Sequence, residues 1–294
     1  RAFVDVALRN AINARQVEGP CMFVAGAYVT IPGGGGEVTG LPDALKAPAE
    51  MRRGVAENAE QVRQRVRELI AGGADFIKIM ATGAVLTAGT TPQMPEFTEA
   101  EIRAAVEEAG RHGTFVAAHA HGAEGIKNAV RAGVRTIEHG SFLDDEGIAL
   151  MVKHGTWLVA DIYNGDYIAE VGTRDGWPEE VLRKNRETTD IQREGFSKAV
   201  KLGVKIGFGT DSGVYPHGIN ARQFGYMVKY GMTPIQAIQS ATVEAARVLG
   251  RDGDVGAIAP GRFADIIAVA GDPSRDVGTL KDVRGVMKAG KTVK

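Results

Sequence analysis

With 294 residues, 44% of them hydrophobic and 24% charged, the chain can bury one large core and has the composition of an ordinary globular protein. Lysine and arginine number 35 against 36 aspartates and glutamates, so no global field draws nucleic acid or an anionic membrane, and a small neutral or zwitterionic substrate fits better. The single cysteine, Cys21, excludes an internal disulfide and a thiolate metal cluster, which leaves nitrogen and oxygen ligands for any metal; no apolar run approaches the roughly 20 residues that cross a bilayer.

Residues 1–17 read as the middle of a helix, with Val4, Leu8 and Ile12 on one stripe. Because the chain opens on Arg1 rather than Met, a preceding segment is expected, and a cytoplasmic location is the expectation for the whole. Cys21 to Thr30 is the first β-rich run. Gly33 to Gly36 leads into a loop and not a helix, so it reads as a flexible loop over the end of the sheet rather than a phosphate cradle. A repeated pattern then sets in, of a helix-ending glycine followed by a short β-rich run: Gly73 before ADFIKIMA, Gly113 before TFVAAHA, Gly133 before VRTIEHG, Gly155 before TWLVADIY and Gly203 before VKIGFGTD. Helix starts agree, with Thr98 and Glu101 spaced as a capping box and Thr233-Pro234 placing proline at a first helical position.

Strands separated by helices predict a parallel sheet, and six of them predict an α/β fold, a TIM-type (β/α)8 barrel lacking its first two units. The barrel is assigned to residues 1–260. Residues 261–294 are assigned to part of a small β domain, with strands at 263–269 and 283–293 and a turn at Ala289-Gly290.

Polar residues stand where strands hand over to loops: Lys78, His119, His139 and Asp211. In such a barrel the carboxyl ends of the strands form the active face, so these four should converge. Lys78, between Ile77 and Ile79, must be paired or neutralised; a salt bridge inside the barrel is one outcome, and a carbamate, which would reverse its charge and let it bridge two cations, is the other. Neutral imidazoles at successive strand ends, His119 and His139, suit zinc. Asp211 could cap a helix, but GTDSGVYPHG delays that helix and favours a ligand. His112 and His154 close helices ahead of glycines, where an imidazolium suits the negative helix end. His121 and His217 lie on loops facing the expected site, as candidate substrate contacts.

Those four residues in that order, with MTPIQAIQSATVEAARVLG and GAIAPGRFADIIAVAGDP, resemble the amidohydrolase superfamily, in its imidazolonepropionase-related and prolidase-like dipeptidase branch. The resemblance implies two zinc ions bridged by a hydroxide and by carboxylated Lys78. It places His119 and His139 on one ion and Asp211 with a His-x-His pair on the other, and makes Asp211 the catalytic proton acceptor. That pair precedes the lysine in the family, whereas the H-x-H here, His119-Ala120-His121, follows it. The missing pair is therefore expected on an N-terminal segment supplied elsewhere, and the 294 residues alone are expected to hold at most one ion tightly. The implied substrates are a dipeptide such as Xaa-Pro, an N-acyl amino acid or an aryl amide-linked amino acid. Tyr163 at its strand end and His121 are candidates for the substrate carboxylate or the oxyanion, with core packing the alternative for Tyr163. A homo-oligomer without nucleic-acid or membrane partners is expected. The alternatives are a one-metal, imidazolonepropionase-like cyclic amidohydrolase and a catalytically inactive scaffold.

Overall fold

A computed structural model describes residues 3–42, 45 and 47–294. Six short parallel strands, β1 (Tyr28–Val29), β2 (Ile77–Met80), β3 (Val116–Ala120), β4 (Thr136–His139), β5 (Trp157–Val159) and β6 (Lys205–Ile206), pair in chain order. Between them run α2 (Ala59–Ala71), α3 (Glu99–Arg111), α4 (Ala123–Ala132), α5 (Asp145–His154), the short α6 (Asn164–Tyr167) and the long α7 (Glu179–Lys201). This is the strand-by-strand winding of a TIM-type barrel, with β1 and β6 as the sheet's two edges among the described residues. The expected helix signals act as read. Both arms of the Thr98–Glu101 capping box form, and the chain leaves α4 and α5 through left-handed Gly133 (φ 96°) and Gly155 (φ 69°).

The pleat decides what enters the barrel. Lys78 lies opposite Ala117 and Met80 opposite His119, while Ile77 and Ile79 lie opposite Val116 and Ala118 on the other face. The second set is sealed against Val66 and Leu69 of α2, Ile102 and Ala105 of α3 and Ile126 of α4, all essentially inaccessible to solvent. Hydrophobic residues thus face the helices and Lys78 and His119 face the interior.

Two expectations shift. The opening helix α1 spans Val4–Asn13, but it buries Val6 and Ile12, leaving Val4 67% exposed and Leu8 exposed. Arg9 sets that rotation by pairing with Asp75 at 2.6 Å and donating to the Gly73 carbonyl. The first strand is also shorter than Cys21–Thr30, because Gly26 takes a left-handed φ of 73° and breaks the extended run. Beyond β1, Thr30 continues the pairing through an isolated bridge to Val55.

After β6, α8 (Arg222–Lys229), α9 (Pro234–Ser240) and α10 (Val243–Val248) lead to an antiparallel sheet of β7 (Ile266–Val269), β8 (Val283–Lys288) and β9 (Lys291–Thr292). Ala289 (φ 47°) and Gly290 (φ 78°) are both left-handed, the two-residue turn that matches strand twist. No helix among the described residues is long and apolar enough to cross a membrane.

Gly209 shows how tightly the interior is filled: a Cβ there would stand 2.3 Å from Val159 Cγ1. Since valine is stiff about χ1, Gly209→Ala should destabilise the protein by about 2 kcal/mol, and Val159→Ala added to it should recover most of that loss. Thermal or urea denaturation of the two singles and the double checks it; strictly additive losses would refute the contact.

Candidate metal centre

At the carboxyl end of the sheet a cavity of about 230 Å³ brings together Lys78, His119, His121, His139, Asp161 and Asp211. Parity alone would not assemble them. His139 stands opposite Ala120 in register, on the face of Ile137, and its left-handed backbone (φ 69°) re-aims it into the cavity. Asp211 has φ 50°. These two left-handed non-glycine residues, His139 at the end of β4 and Asp211 in the loop after β6, both line the cavity and mark where backbone strain is held at a site.

The three imidazole rings form a near-equilateral triangle, with centroids 4.6 Å (His119–His121), 4.5 Å (His119–His139) and 4.6 Å (His121–His139) apart. One nitrogen of each is held from behind. His119 Nε2 meets the Gly83 carbonyl at 3.1 Å, His139 Nδ1 meets Asp161 Oδ1 at 2.9 Å, and His121 Nδ1 meets Ser141 Oγ at 2.7 Å. A carbonyl and a carboxylate can only accept, so neutral His119 keeps its lone pair on Nδ1 and neutral His139 on Nε2. Donor atoms of His119, His121 and His139 lie within 4.8 Å of one another, as do those of His139, Asp161 and Asp211. Imidazole nitrogens beside carboxylate oxygens suit a divalent ion of the zinc type.

The surroundings treat the three rings differently. Burial, reinforced by the other rings and by Lys78, holds His119 well below the usual imidazole range, and burial with His139 does the same to His121, so both are neutral. Burial would lower His139 too, but the charge and hydrogen bond of Asp161 outweigh it and raise its pKa. Against its own burial, Asp161 is held well below the carboxylate range by His139. Asp211 keeps access to solvent, yet the protein crowding its carboxyl raises its pKa, and Asp161 adds to the rise. His139–Asp161 is the ion pair of the site; among the described residues Lys78 enters none, so the salt-bridged structural lysine is not what the chain builds.

Other candidates fall elsewhere. Tyr163 is buried away from the cavity lining, its hydroxyl accepting from Arg222 Nη1 at 2.8 Å and its ring 5.1 Å from that of Tyr215. His217 is exposed and is not brought to the cavity. His112 caps α3 and lies 3.4 Å from Glu108, and His154 closes α5. Conversely, Asp161, Ser141, Asn164 and Gln192 were not singled out from sequence. Asp161 stands two residues beyond β5 with the inward parity of Trp157 and Val159, so the strand-end rule could have found it. Asn164 Nδ2, donating to Asp161 Oδ2 (2.7 Å) and Asp211 Oδ2 (3.3 Å), and Gln192 Nε2, donating to Asp161 Oδ1 (2.9 Å) and the His139 carbonyl (3.1 Å), come from helices and carry no such signal.

A model of the amidohydrolase family matches residues 3–293. The chain belongs to the amidohydrolase family. Among solved structures, an Xaa-Pro dipeptidase with methionine bound in its active site is 41% identical, with a TM-score of 0.94 over 99% of this chain and 72% of that one. A prolidase complexed with N-methylphosphonate-L-proline is 34% identical, with a TM-score of 0.91 over 98% and 72%. Ochratoxinase of Aspergillus niger is 33% identical over 97% of this chain; the chain spans 62% of that relative's length.

The glycine run, expected as a flexible loop, is hydrogen-bonded to its surroundings at Gly33, Gly35 and Gly36. Gly35 lines the cavity, its N–H donates to Glu96, and its carbonyl accepts from the Thr87 hydroxyl at 2.7 Å. Glu96 also accepts from the Thr30 hydroxyl at 2.9 Å, and Glu37, paired with Arg52, accepts from Gly33 N–H at 2.6 Å. A Cβ on Gly36 would meet Met80 Cγ at 2.8 Å, so the run lies flat against the barrel. Burial without a cation partner pushes Glu96 up to about 7 from 4.5, although its donors oppose the shift. The folded protein therefore holds this proton more tightly than the unfolded chain. The contribution of Glu96 to stability is full below about pH 4.5 and is lost as pH rises through about 7, a loss of about 3 kcal/mol in all. Glu96→Gln should remove that part of the pH dependence, making the variant gain relative to wild type between pH 5 and pH 8. Denaturation midpoints at both pH values check it, and parallel profiles would show that Glu96 is not the group responsible.

Proposed function

We propose that this chain carries most of the active site of a metal-dependent amide hydrolase acting on a dipeptide, such as Xaa-Pro, or on an N-acyl or aryl amide-linked amino acid. The observation that carries the reading is that His119 and His139 each have one ring nitrogen held from behind by an acceptor and the other left to the cavity, which Lys78 and Asp211 also line. The names of the relatives, a dipeptidase, a prolidase and an ochratoxinase, support the amide substrate.

In this reading His119 and His139 hold one divalent ion, zinc by donor type. Lys78, as a carbamate, and Asp211 would serve a second ion. The ions supply Lewis acidity and make water acidic enough to lose a proton near neutral pH. Asp211 takes the proton of the attacking water and returns it to the leaving amine. Asp161 holds the His139 ring, while Gln192 and Asn164 hold Asp161. Val85, Ile168 and Val214 form the apolar wall of the cavity, backed by Trp177, Val181 and Leu182, and would take the side chain flanking the scissile bond.

In the whole polypeptide Lys78→Ala should lower metal content and cut turnover of an Xaa-Pro or N-acyl substrate by about 100-fold or more, since even residues behind ligands cost about 10–100-fold. Small carboxylic acids should restore part of it. Asp211→Asn should lower kcat by about 100-fold or more. Normal content of two ions in Lys78→Ala without rescue would sink the bridging role, and full turnover in Asp211→Asn the proton transfer.

A further inference from the structure

Ser141 lies two residues past the end of β4, 1% exposed, and its hydroxyl has one hydrogen-bond partner among the described residues, His121 Nδ1 at 2.7 Å. A hydroxyl carries one hydrogen and two lone pairs. If Nδ1–H donated to Oγ, the hydrogen of Ser141, at a position only 1% exposed, would have no acceptor among the described residues, which a buried donor does not tolerate without loss. If Oγ–H donates to a bare Nδ1, every donor is met. The ring then carries its hydrogen on Nε2. That nitrogen has no hydrogen-bond partner among the described residues and is not among their sealed, unpartnered atoms, which are Asn164 Oδ1 and Tyr215 Oη; it opens on the cavity that His121 lines.

We infer that Ser141 is a positioning residue: it fixes His121 in the Nε2–H tautomer, so that His121 meets the bound substrate as a hydrogen-bond donor and not as a metal ligand. The same accounting gives opposite results at its neighbours. Gly83 behind His119 and Asp161 behind His139 are acceptors and leave lone pairs facing inward, whereas Ser141 is a donor and leaves an N–H. The triangle of rings is thus two ligands and one donor. Its catalytic meaning rests on the amide-hydrolysis reading above: an N–H aimed at the cavity stabilises the negative charge that grows on a carbonyl oxygen under attack.

The deciding measurement does not depend on turnover. In metal-free whole protein labelled with 15N-histidine, the two-bond proton–nitrogen correlation of His121, assigned by its loss in His121→Asn, reports which nitrogen is protonated. The expected wild-type pattern is an unprotonated Nδ1 and a protonated Nε2. Ser141→Ala should give a mixture of tautomers and Ser141→Thr should restore the wild-type pattern. With zinc added, Nε2 should keep its proton, and in the loaded enzyme Ser141→Ala should lower kcat about 10-fold with little change in KM or metal content. A protonated Nδ1 in the wild type overturns the inference without any variant having to fold, as does loss of the Nε2 proton on zinc binding. If no amide is cleaved while the tautomer stands as expected, the failure belongs to the hydrolysis reading alone.

Discussion

The site exists because neighbouring parallel strands keep parity. With Lys78 opposite Ala117 and Met80 opposite His119, every second side chain enters the barrel and the alternate set seals it against the helices. A one-residue slip between β2 and β3 would send Lys78 or His119 into the apolar layer, where nothing pairs a charge or satisfies an imidazole. The sealed layer of Ile77, Ile79, Val116, Ala118 and Ile137 therefore does more than stabilise the fold; it fixes the register that makes polar residues neighbours.

Parity brings Lys78 and His119 together, but the rest of the site needs departures from it. His139 stands on the wrong face until its backbone turns left-handed, and Asp211 sits on a left-handed turn as well. Each such conformation costs about 1–2 kcal/mol for a residue with a Cβ. The contacts that oppose relaxation are visible at His139, where Asp161 receives Nδ1–H and Gln192 holds both that carboxylate and the His139 carbonyl. Asp161 is the hub: a buried carboxylate that answers His139, Asn164 and Gln192 at once, and whose removal would free a strained residue as well as unpair two amides.

How much of this the sequence discloses follows from the range of the interactions involved. Helix-ending glycines and the Thr98 box are local signals, and the alternation of helix and strand is a consequence of them, so the parallel order and the hairpin at Ala289-Gly290 were legible. Lys78, His119, His139 and Asp211 could be picked out because each is a polar residue in or just after an apolar β-rich run; Asp161 follows β5 in the same way, hidden by a shorter strand than its flanking apolar residues suggest. What could not be read is set by contacts across the fold. Gln192 lies 31 residues from Asp161, and Tyr163 follows β5 too yet turns its hydroxyl to Arg222, 59 residues on. The glycine run looked mobile for want of side chains. Glu96, 61 residues from Gly35, ties it down.

The hydrogen-bond partner behind each imidazole then separates roles that composition cannot. His119 and His121 sit two residues apart, both buried and both neutral, and ring type or spacing would treat them alike. Gly83 offers the first an oxygen that can only accept, and Ser141 offers the second a hydrogen with nowhere else to go. Proton placement passes outward to inward through each ring, so the chemistry presented to the cavity is decided by what stands behind the rings, a backbone carbonyl and a serine hydroxyl.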